Sequence, residues 1–430
     1  MRKILMIFVV LICIVGGVFV ILWESGMFGE SAGGRRSVDN DITEKSPDVS
    51  DNADAADKTT SETIDPNADE KPVDTTETTE DAVSELVDKT MAEMSLHDKV
   101  CQMMFVTPEG LTGTDDVMVA GDATKQALQA YPVGGIIYFA NNFDNVDQTR
   151  DMISNTQSYS KIGLFIATDE EGGRVNRIMD TLGTTYIGPM YDYKDDGPDA
   201  AFENAKTIAS DMSALGFNLD FAPVADVWSN PDNTVIGDRA YSDDYAQAAE
   251  LVGSAVKGFQ DGGVICTLKH FPGHGDTAED SHYSSAYVNR TKAQIMADEM
   301  QPFRTGIDAG AELVMVGHLI VPDIDELPST LSYKIATEML RGDMEFDGVA
   351  ITDSMEMESI ADNYGVADSA VMAVQAGMDM LLQPADLAVA VNAIVTAVQN
   401  GDITEPRIDE SVRRILTLKA VSYTHLTLPT

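Results

Sequence analysis

Short, continuously apolar runs alternate with longer amphipathic stretches from residue 83 onward. Parallel strands that are covered on both faces have this pattern, because neither face meets water. Eight runs are therefore predicted as strands: Met103–Val106, Gly135–Phe139, Gly163–Thr168, Phe217–Phe221, Val264–Lys269, Leu313–Gly317, Gly348–Thr352 and Met378–Leu382. Helices are predicted over Ala201–Leu215, Tyr245–Asp261, Lys292–Ala309, Tyr333–Arg341, Ser369–Ala376, Leu387–Gln399 and Pro406–Lys419. The alternation predicts an α/β fold, whose simplest closure is a (β/α)8 barrel of the TIM type over residues 83–420.

The start of the chain has a different character. A continuous apolar run of 19 residues, Ile4–Leu22, follows Arg2 and Lys3, and about 20 residues cross a bilayer. The two basic residues favour a cytoplasmic N-terminus, which places everything after residue 23 outside the membrane. Residues 1–23 are therefore predicted as a single-pass anchor. A cleaved signal peptide is the alternative, although its apolar region is normally shorter, about 7–15 residues.

Residues 24–82 are predicted to be an acidic, disordered linker. Between Asp39 and Asp81 the chain has ten Asp and five Glu against three Lys, with almost no large apolar side chains. Self-repulsion should keep such a segment extended and solvated. The folded region is expected to open near Val83, with Ser95 as the N-cap of an early helix.

Composition narrows the class of protein. With 430 residues, 44% of them hydrophobic, the chain can bury a large core, and its net charge of −43 argues against nucleic acid as a partner. The three cysteines, Cys13, Cys101 and Cys266, form neither a disulfide framework nor a zinc-finger spacing. We therefore predict a globular domain that is stabilised by its core.

Polar residues stand at the ends of most predicted strands. In chain order these are Asp169 after the third strand, Asp220 and Asp226 around the fourth, Lys269 and His270 at the fifth, His318 at the sixth and Asp353 at the seventh. Barrel enzymes carry their reactive groups at the carboxyl ends of the strands, where successive strand ends meet. The pattern predicts one polar site built from several strands.

The richest of these stretches is KHFPGHGDT at residues 269–277, followed by DSH at 280–282. One interpretation is a metal site with ligands His270, His274 and Asp276. The Pro-Gly pair at 272–273 argues against it, because it breaks the helix that His-x3-His ligands normally share. The other interpretation takes Asp280 and His282 as a pair, in which the carboxylate orients an imidazole that moves protons near neutral pH.

Six motifs occur in a fixed order: DEEGGRVNR at 169–177, FAPVADV at 221–227, GDRAYS at 237–242, KHFPGHGDT at 269–277, DSH at 280–282 and ITDSMEM at 351–357. In this set and order the chain resembles the family-three glycoside hydrolases, and specifically their bacterial β-N-acetylhexosaminidase branch. The resemblance runs from about residue 86 to residue 419. It implies a (β/α)8 catalytic domain.

The resemblance also implies a mechanism. Asp353 would be the nucleophile that forms a covalent glycosyl-enzyme, and His282, with Asp280 as its partner, would be the general acid/base. Most retaining glycosidases use two carboxyl groups instead. The alternative for Asp353 is a structural N-cap of the segment that follows it. No metal or organic cofactor is implied.

Substrate contacts follow from the same motifs. The resemblance implies that Asp169 accepts hydrogen bonds from sugar hydroxyls and that other side chains donate to hydroxyl or acetamido oxygens: Arg177, Arg239, Lys269 and His270. His318 and Asp226 would touch the substrate or brace these groups. Glu170 and Glu171 are adjacent, so on an extended backbone they point to opposite faces and are not expected to serve one substrate.

The expected protein is an exo-acting retaining β-N-acetylglucosaminidase, held outside a bacterial membrane and acting on peptidoglycan fragments. A phosphorylase is the near alternative, because a histidine acid/base lacks the negative charge with which glutamate repels phosphate. A non-catalytic, membrane-tethered glycan-binding protein is the alternative from another class. Residues 421–430 fit neither helix nor strand and stay unassigned, as a tail of foreign origin or as the approach to a second domain.

Overall fold

Parallel strands organise the domain. The computed structural model describes residues 75–277 and 286–422, with side chains from residue 80, and these belong to one compact unit, Pro72–Thr430. Its strands are β1 (Met104–Val106), β2 (Gly135–Ile137), β3 (Phe165–Thr168), β4 (Leu219–Asp220), β5 (Thr267–Phe271), β6 (Ala286–Tyr287), β7 (Leu313–Val316), β8 (Leu319–Ile320), β9 (Val349–Thr352) and β10 (Leu381–Leu382).

The strands pair in two main parallel sheets. One has the order β10-β1-β2-β3-β4 and the other the order β5-β7-β9, while β6 pairs with β8. Isolated parallel bridges, Leu219–Ile265 and Ile351–Met380, join β4 to the residues that enter β5 and join β9 to the residues that enter β10. The α/β class with parallel sheets is thus confirmed, and each of the eight predicted runs overlaps a strand, while the sequence does not predict β6 and β8.

Burial explains why these runs are continuously apolar. Every residue of the eight strands outside the β6–β8 pair is buried. Aromatic contacts pack across the first sheet and join the second sheet to a helix, with ring centroids 5.3 Å apart for Phe105 and Phe221 and 5.4 Å apart for Phe271 and Phe303. A strand that is buried on both faces has no side in contact with water, so its sequence does not alternate between apolar and polar residues.

Helices surround the strands. The α-helices are Thr75–Ala92, Leu96–Gln102, Pro108–Thr112, Asp122–Ala130, Val146–Tyr159, Met179–Leu182, Pro198–Leu215, Tyr245–Asp261, Lys292–Ala297, Met300–Asp308, Glu358–Tyr364, Val366–Ala376, Leu387–Asn400 and Glu405–Ser422. Short 3₁₀ helices span Ala140–Asn142, Met190–Asp196, Gly237–Arg239 and Ser329–Leu331, and a π-helix spans Lys334–Asp343. The predicted N-cap at Ser95 is confirmed, since Ser95 and Asp98 form a reciprocal capping box.

Several boundaries differ from the sequence expectation, and the last helix, for example, continues to Ser422, inside the tail predicted from residue 421. The first helix begins at Thr75, inside the segment predicted as linker up to residue 82. Val87 and Met91 bury one face of this helix, and a helix anchored there extends backward through polar residues at little cost. The predicted helix Lys292–Ala309 is broken at Asp298 and Glu299, whose carboxylates both bind Arg290.

Several predictions lie outside the described residues. These are the anchor at 1–23, the linker up to residue 74, the end of the tail at 423–430, and Asp280 and His282. Within residues 75–277 and 286–422, no helix is long and apolar enough to span a bilayer.

A buried lysine ties the last helix to the first sheet. Lys419 is fully buried, and its Nζ donates hydrogen bonds to Gln102 Oε1 at 3.0 Å and to the Gly134 carbonyl at 2.8 Å. The ammonium also lies 4.9 Å from the centre of the Phe165 ring. No carboxylate pairs with it among the described residues, and burial lowers its pKa to about 7.

This site predicts a specific pH dependence of stability. Between pH 7 and the ordinary lysine pKa of 10.5 the unfolded chain binds more protons at residue 419 than the folded one. The burial cost is therefore fully present below pH 7 and disappears as the pH rises toward 10.5. We expect the free energy of unfolding of wild type, relative to Lys419→Met, to increase by several kcal/mol between pH 6.5 and pH 9.5.

Urea unfolding at the two pH values measures this difference. Lys257→Met, which changes an exposed lysine, is the matched control and should show no such pH dependence. An equal difference at both pH values for Lys419→Met would contradict the expectation.

Candidate functional site

A cavity of about 660 Å³ opens where the strands end. Its walls include residues within or just after β2, β3, β5, β9 and β10. Of the residues singled out from the sequence, these line it: Asp169, Arg177, Arg239, Lys269, His270 and Asp353. The structure thus brings together side chains that lie as far apart in sequence as residues 169 and 353.

One wall of the cavity is a network of ion pairs. Lys269 Nζ lies 2.9 Å from Asp169 Oδ1 and 2.6 Å from Glu171 Oε1. Arg239 forms two hydrogen bonds to Glu171, of 2.7 and 2.8 Å. Arg177 Nη2 is 3.7 Å from Asp169. Three cations against two carboxylates leave donor capacity for neutral oxygens of a ligand.

The network keeps its members charged. Burial raises the pKa of Glu171, but the charges and hydrogen bonds of Arg239 and Lys269 outweigh burial and hold it below its ordinary value. Burial lowers the pKa of Lys269, and the carboxylates of Asp169 and Glu171 more than reverse that shift. The charges of Glu171 and Lys269 are therefore maintained by their partners, which makes this wall sensitive to the loss of any one of them.

Asp226 braces the next part of the wall from behind. It is buried and accepts backbone N–H groups from His270 at 3.1 Å and His274 at 2.6 Å. His270 Nδ1 lies 2.7 Å from the same carboxylate. Burial raises the pKa of Asp226, but His270 and His274 outweigh it, so the pKa falls below its ordinary value. Because an ionised carboxylate only accepts hydrogen bonds, the Nδ1 of His270 carries a proton and donates its hydrogen bond to Asp226.

The second histidine of this loop is neutral. Burial lowers the pKa of His274 to about 4, and its Nδ1 lies 2.8 Å from Thr277 Oγ1. Among the described residues there is no group of three His, Cys, Asp or Glu side chains able to hold a metal ion.

His318 supports the segment that carries Asp353. It is buried, and its Nε2 lies 2.8 Å from the carbonyl of Ser354 while its Nδ1 lies 2.8 Å from Thr330 Oγ1. A carbonyl only accepts, so Nε2 carries the proton and Thr330 donates to Nδ1. His318 thereby holds the residue that follows Asp353.

Asp353 stands at the end of β9 and lines the cavity. Its Oδ1 accepts the backbone N–H of Ser354 at 2.7 Å. The next helix begins at Glu358 with Met357 at its N-cap position. The helix-cap alternative for Asp353 is therefore wrong, because the residues between 353 and 358 form a loop instead of a first helical turn.

Glu170 and Glu171 go in opposite directions, as their adjacency predicts. Glu170 accepts the backbone N–H groups of Arg177, Ile178 and Met179 at 2.7, 2.9 and 3.2 Å. Glu171 instead reaches the cavity, where sequence reasoning assigned it no role. The missed signal was the two-residue period of extended chain, which places residue 171 on the same face as Asp169.

A cavity lined by paired carboxylates and cations, with an aspartate at a strand end, can bind the hydroxyl groups of a carbohydrate. Residues 95–418 match the family described as glycosyl hydrolase family 3 N terminal domain. The chain belongs to this family.

Similar proteins specify the branch. The chain is 33% identical over 330 residues to β-hexosaminidase A of Pseudoalteromonas piscicida, covering 69% of the chain and 54% of that relative. It is 32% identical over 341 residues to β-hexosaminidase LpqI of Mycobacterium tuberculosis, covering 76% of the chain and 84% of LpqI. A solved family 3 β-N-acetylglucosaminidase from Paenibacillus sp. str. FPU-7 is 38% identical with a TM-score of 0.71, covering 76% of this chain and 63% of that one.

These similarities confirm the branch that the motifs predict. The chain is similar to bacterial β-N-acetylhexosaminidases of this family. It spans about half the length of the Pseudoalteromonas relative.

Proposed function

We propose that this protein is a retaining exo-β-N-acetylglucosaminidase with Asp353 as its nucleophile. The observation that carries the proposal is the position of Asp353 at the end of β9, in one cavity with the Asp169–Lys269–Glu171–Arg239 network. The carboxylate faces a space large enough for a sugar, and the opposite wall supplies charged hydrogen-bond partners for its substituents.

The chemistry takes two steps. The carboxylate of Asp353 attacks the anomeric carbon, the bond to the leaving oxygen breaks, and that oxygen takes a proton from His282. Water then attacks the glycosyl ester, gives its proton to neutral His282, and releases the sugar with retained configuration. The role of His282 with Asp280 rests on the DSH motif.

We also infer that the eight strands close into the predicted (β/α)8 barrel. The two sheet orders, β10-β1-β2-β3-β4 and β5-β7-β9, and the bridges at Leu219–Ile265 and Ile351–Met380 support this closure. A barrel places residues 169, 269 and 353 around one mouth, as the candidate mechanism requires.

For the natural substrate we propose peptidoglycan fragments with a terminal β-linked N-acetylglucosamine. The support is the predicted anchor at residues 1–23, or a cleaved signal in its place, which puts the enzyme outside the membrane beside the cell wall. Fractionation tests the location: an anchored enzyme stays with membranes after a high-salt wash, and a secreted one appears in the medium.

The activity test uses the full chain purified in a mild detergent, with nitrophenyl β-glycosides of N-acetylglucosamine and of glucose, each with and without phosphate. Release from the N-acetylglucosamine substrate that phosphate leaves unchanged supports the hydrolase. Strong stimulation by phosphate, with sugar 1-phosphate as product, would assign the phosphorylase alternative. No release from either sugar would overturn the proposed function.

The acid role of His282 gives a separate prediction. We expect His282→Ala to lower kcat/KM at least tenfold more on a disaccharide than on a dinitrophenyl glycoside, because a good leaving group needs little protonation. Initial rates on the two substrates measure this ratio. Equal losses on both would remove His282 from the acid role.

A further inference from the structure

The backbone of Gln383 has an unusual conformation at the edge of the cavity. Its φ is +47°, in the left-handed region that non-glycine residues rarely adopt. The next residue is Pro384, and a residue before proline is normally confined to extended conformations with negative φ. The left-handed backbone of Gln383 is therefore disfavoured twice, by its own side chain and by the proline that follows it.

Gln383 is also fixed next to the nucleophile. The backbone N–H of the preceding residue, Leu382, donates to Thr352 Oγ1 at 3.0 Å, and its carbonyl accepts the N–H of Met355 at 2.9 Å. Thr352 and Met355 flank Asp353 closely on both sides. The N–H of Gln383 itself donates to the Phe105 carbonyl at 2.7 Å. The strained residue is therefore held in register with the segment that carries Asp353.

The side-chain amide of Gln383 is available to a ligand. Gln383 lines the cavity, and its amide makes no hydrogen bond within residues 80–277 and 286–422. The other residues with a positive φ and a side chain, Asp116 and Glu345, are exposed and do not line the cavity. Strain that is retained at an active site and not removed by a glycine is typical of a functional constraint.

The lysine of the charged network lies on a strand that does not adjoin β10. Lys269 belongs to β5, and in the strand order β7 and β9 stand between it and β10, which ends just before Gln383. A neutral amide both donates and accepts, so it suits a hydroxyl or amide group without adding charge beside Asp353.

We propose that Gln383 is a substrate-contact residue whose amide hydrogen-bonds an uncharged polar substituent of the bound sugar, and that the left-handed backbone is retained to place it there. This inference rests on the proposed glycosidase function. It adds a contact that none of the six sequence motifs contains.

The test separates strain from contact. Gln383→Gly relieves the backbone and removes the amide, so we expect an unchanged or slightly higher Tm, by about 1–3 °C, together with a loss of about five- to tenfold in kcat/KM on nitrophenyl N-acetylglucosaminide. Gln383→Glu keeps the shape but replaces the N–H donor by a charge, and should lose at least as much.

Glu345→Gly is the matched control, since it relieves the same conformation at an exposed position and should leave kcat/KM unchanged. Wild-type activity in Gln383→Gly would overturn the contact while leaving the proposed function intact. A fall in Tm of several degrees in that variant would assign Gln383 a structural role and also overturn it. Inactive wild type, by contrast, would overturn the proposed function itself.

Discussion

Asp353→Asn lowers kcat on nitrophenyl N-acetylglucosaminide by about 10⁴-fold or more in the result we expect. An amide does not form the glycosyl ester, so the first step has no nucleophile. The fold should survive, because the main-chain N–H of Asp353 still binds the Val316 carbonyl and the asparagine oxygen can still accept the N–H of Ser354. A Tm within about 2 °C of wild type is therefore expected.

Chemical rescue sharpens this test. In Asp353→Gly, added azide should attack the anomeric carbon in place of the carboxylate and give a glycosyl azide of inverted configuration, which nuclear magnetic resonance distinguishes. Asp347→Asn makes the same charge change at an exposed position and should keep full activity. Residual turnover above about one part in a hundred in Asp353→Asn would contradict the nucleophile assignment.

Lys269→Met should produce the largest combined loss of stability and activity. The lysine contacts Asp169 and Glu171 within 2.9 Å and is itself almost fully buried. Its removal leaves carboxylates in a buried site with one cation fewer, and breaking a buried ion pair in this way costs about 3–5 kcal/mol. We also expect kcat/KM to fall by at least about 100-fold, because the wall that holds the sugar loses its central donor.

Two controls make the Lys269 result specific. Lys292→Met breaks the exposed ion pair with Asp343, which should contribute no more than about 1 kcal/mol. Adding Asp169→Asn to Lys269→Met removes a carboxylate that has lost the lysine and keeps, among the described residues, only Arg177 at 3.7 Å, so the free energy of unfolding should recover in part while activity does not. Urea unfolding and initial rates decide the matter. Equal destabilisation by both single lysine variants would contradict the buried-network account.

The fold was largely predictable because its strands are buried on both faces. A short continuous apolar run such as Leu313–Gly317 indicates a buried parallel strand when predicted helices precede and follow it in the sequence. Several predicted strands are longer than the observed ones: Phe217–Phe221 contains only Leu219–Asp220 as strand. The pattern of apolar residues locates the buried stretch, but it does not show where the hydrogen bonds to the neighbouring strand end. The break at Asp298 depends on a tertiary partner, Arg290, which propensity does not reveal.

The candidate site was predictable only in part. The rule that reactive groups follow strands brought Asp169, Lys269 and Asp353 to one mouth. For Glu171 the sequence indicates only the face, through its spacing of two residues from Asp169, while its ion pair with Arg239, 68 residues away in sequence, is visible only once the chain is folded. Gln383 lies in none of the six motifs, and the feature that distinguishes it is its backbone φ angle, which the sequence does not reveal.

The contacts of the last helix also determine when the chain can fold during its synthesis. Lys419 binds Gln102, 317 residues earlier, and Asp409 binds Lys99, 310 residues earlier. The first elements to leave the ribosome must therefore wait, without their partners, until almost all of the described chain has been translated. Long-range closure of this kind slows folding and prolongs exposure of apolar surface. Production of this enzyme should consequently depend more on translation rate and chaperone supply than its final stability suggests.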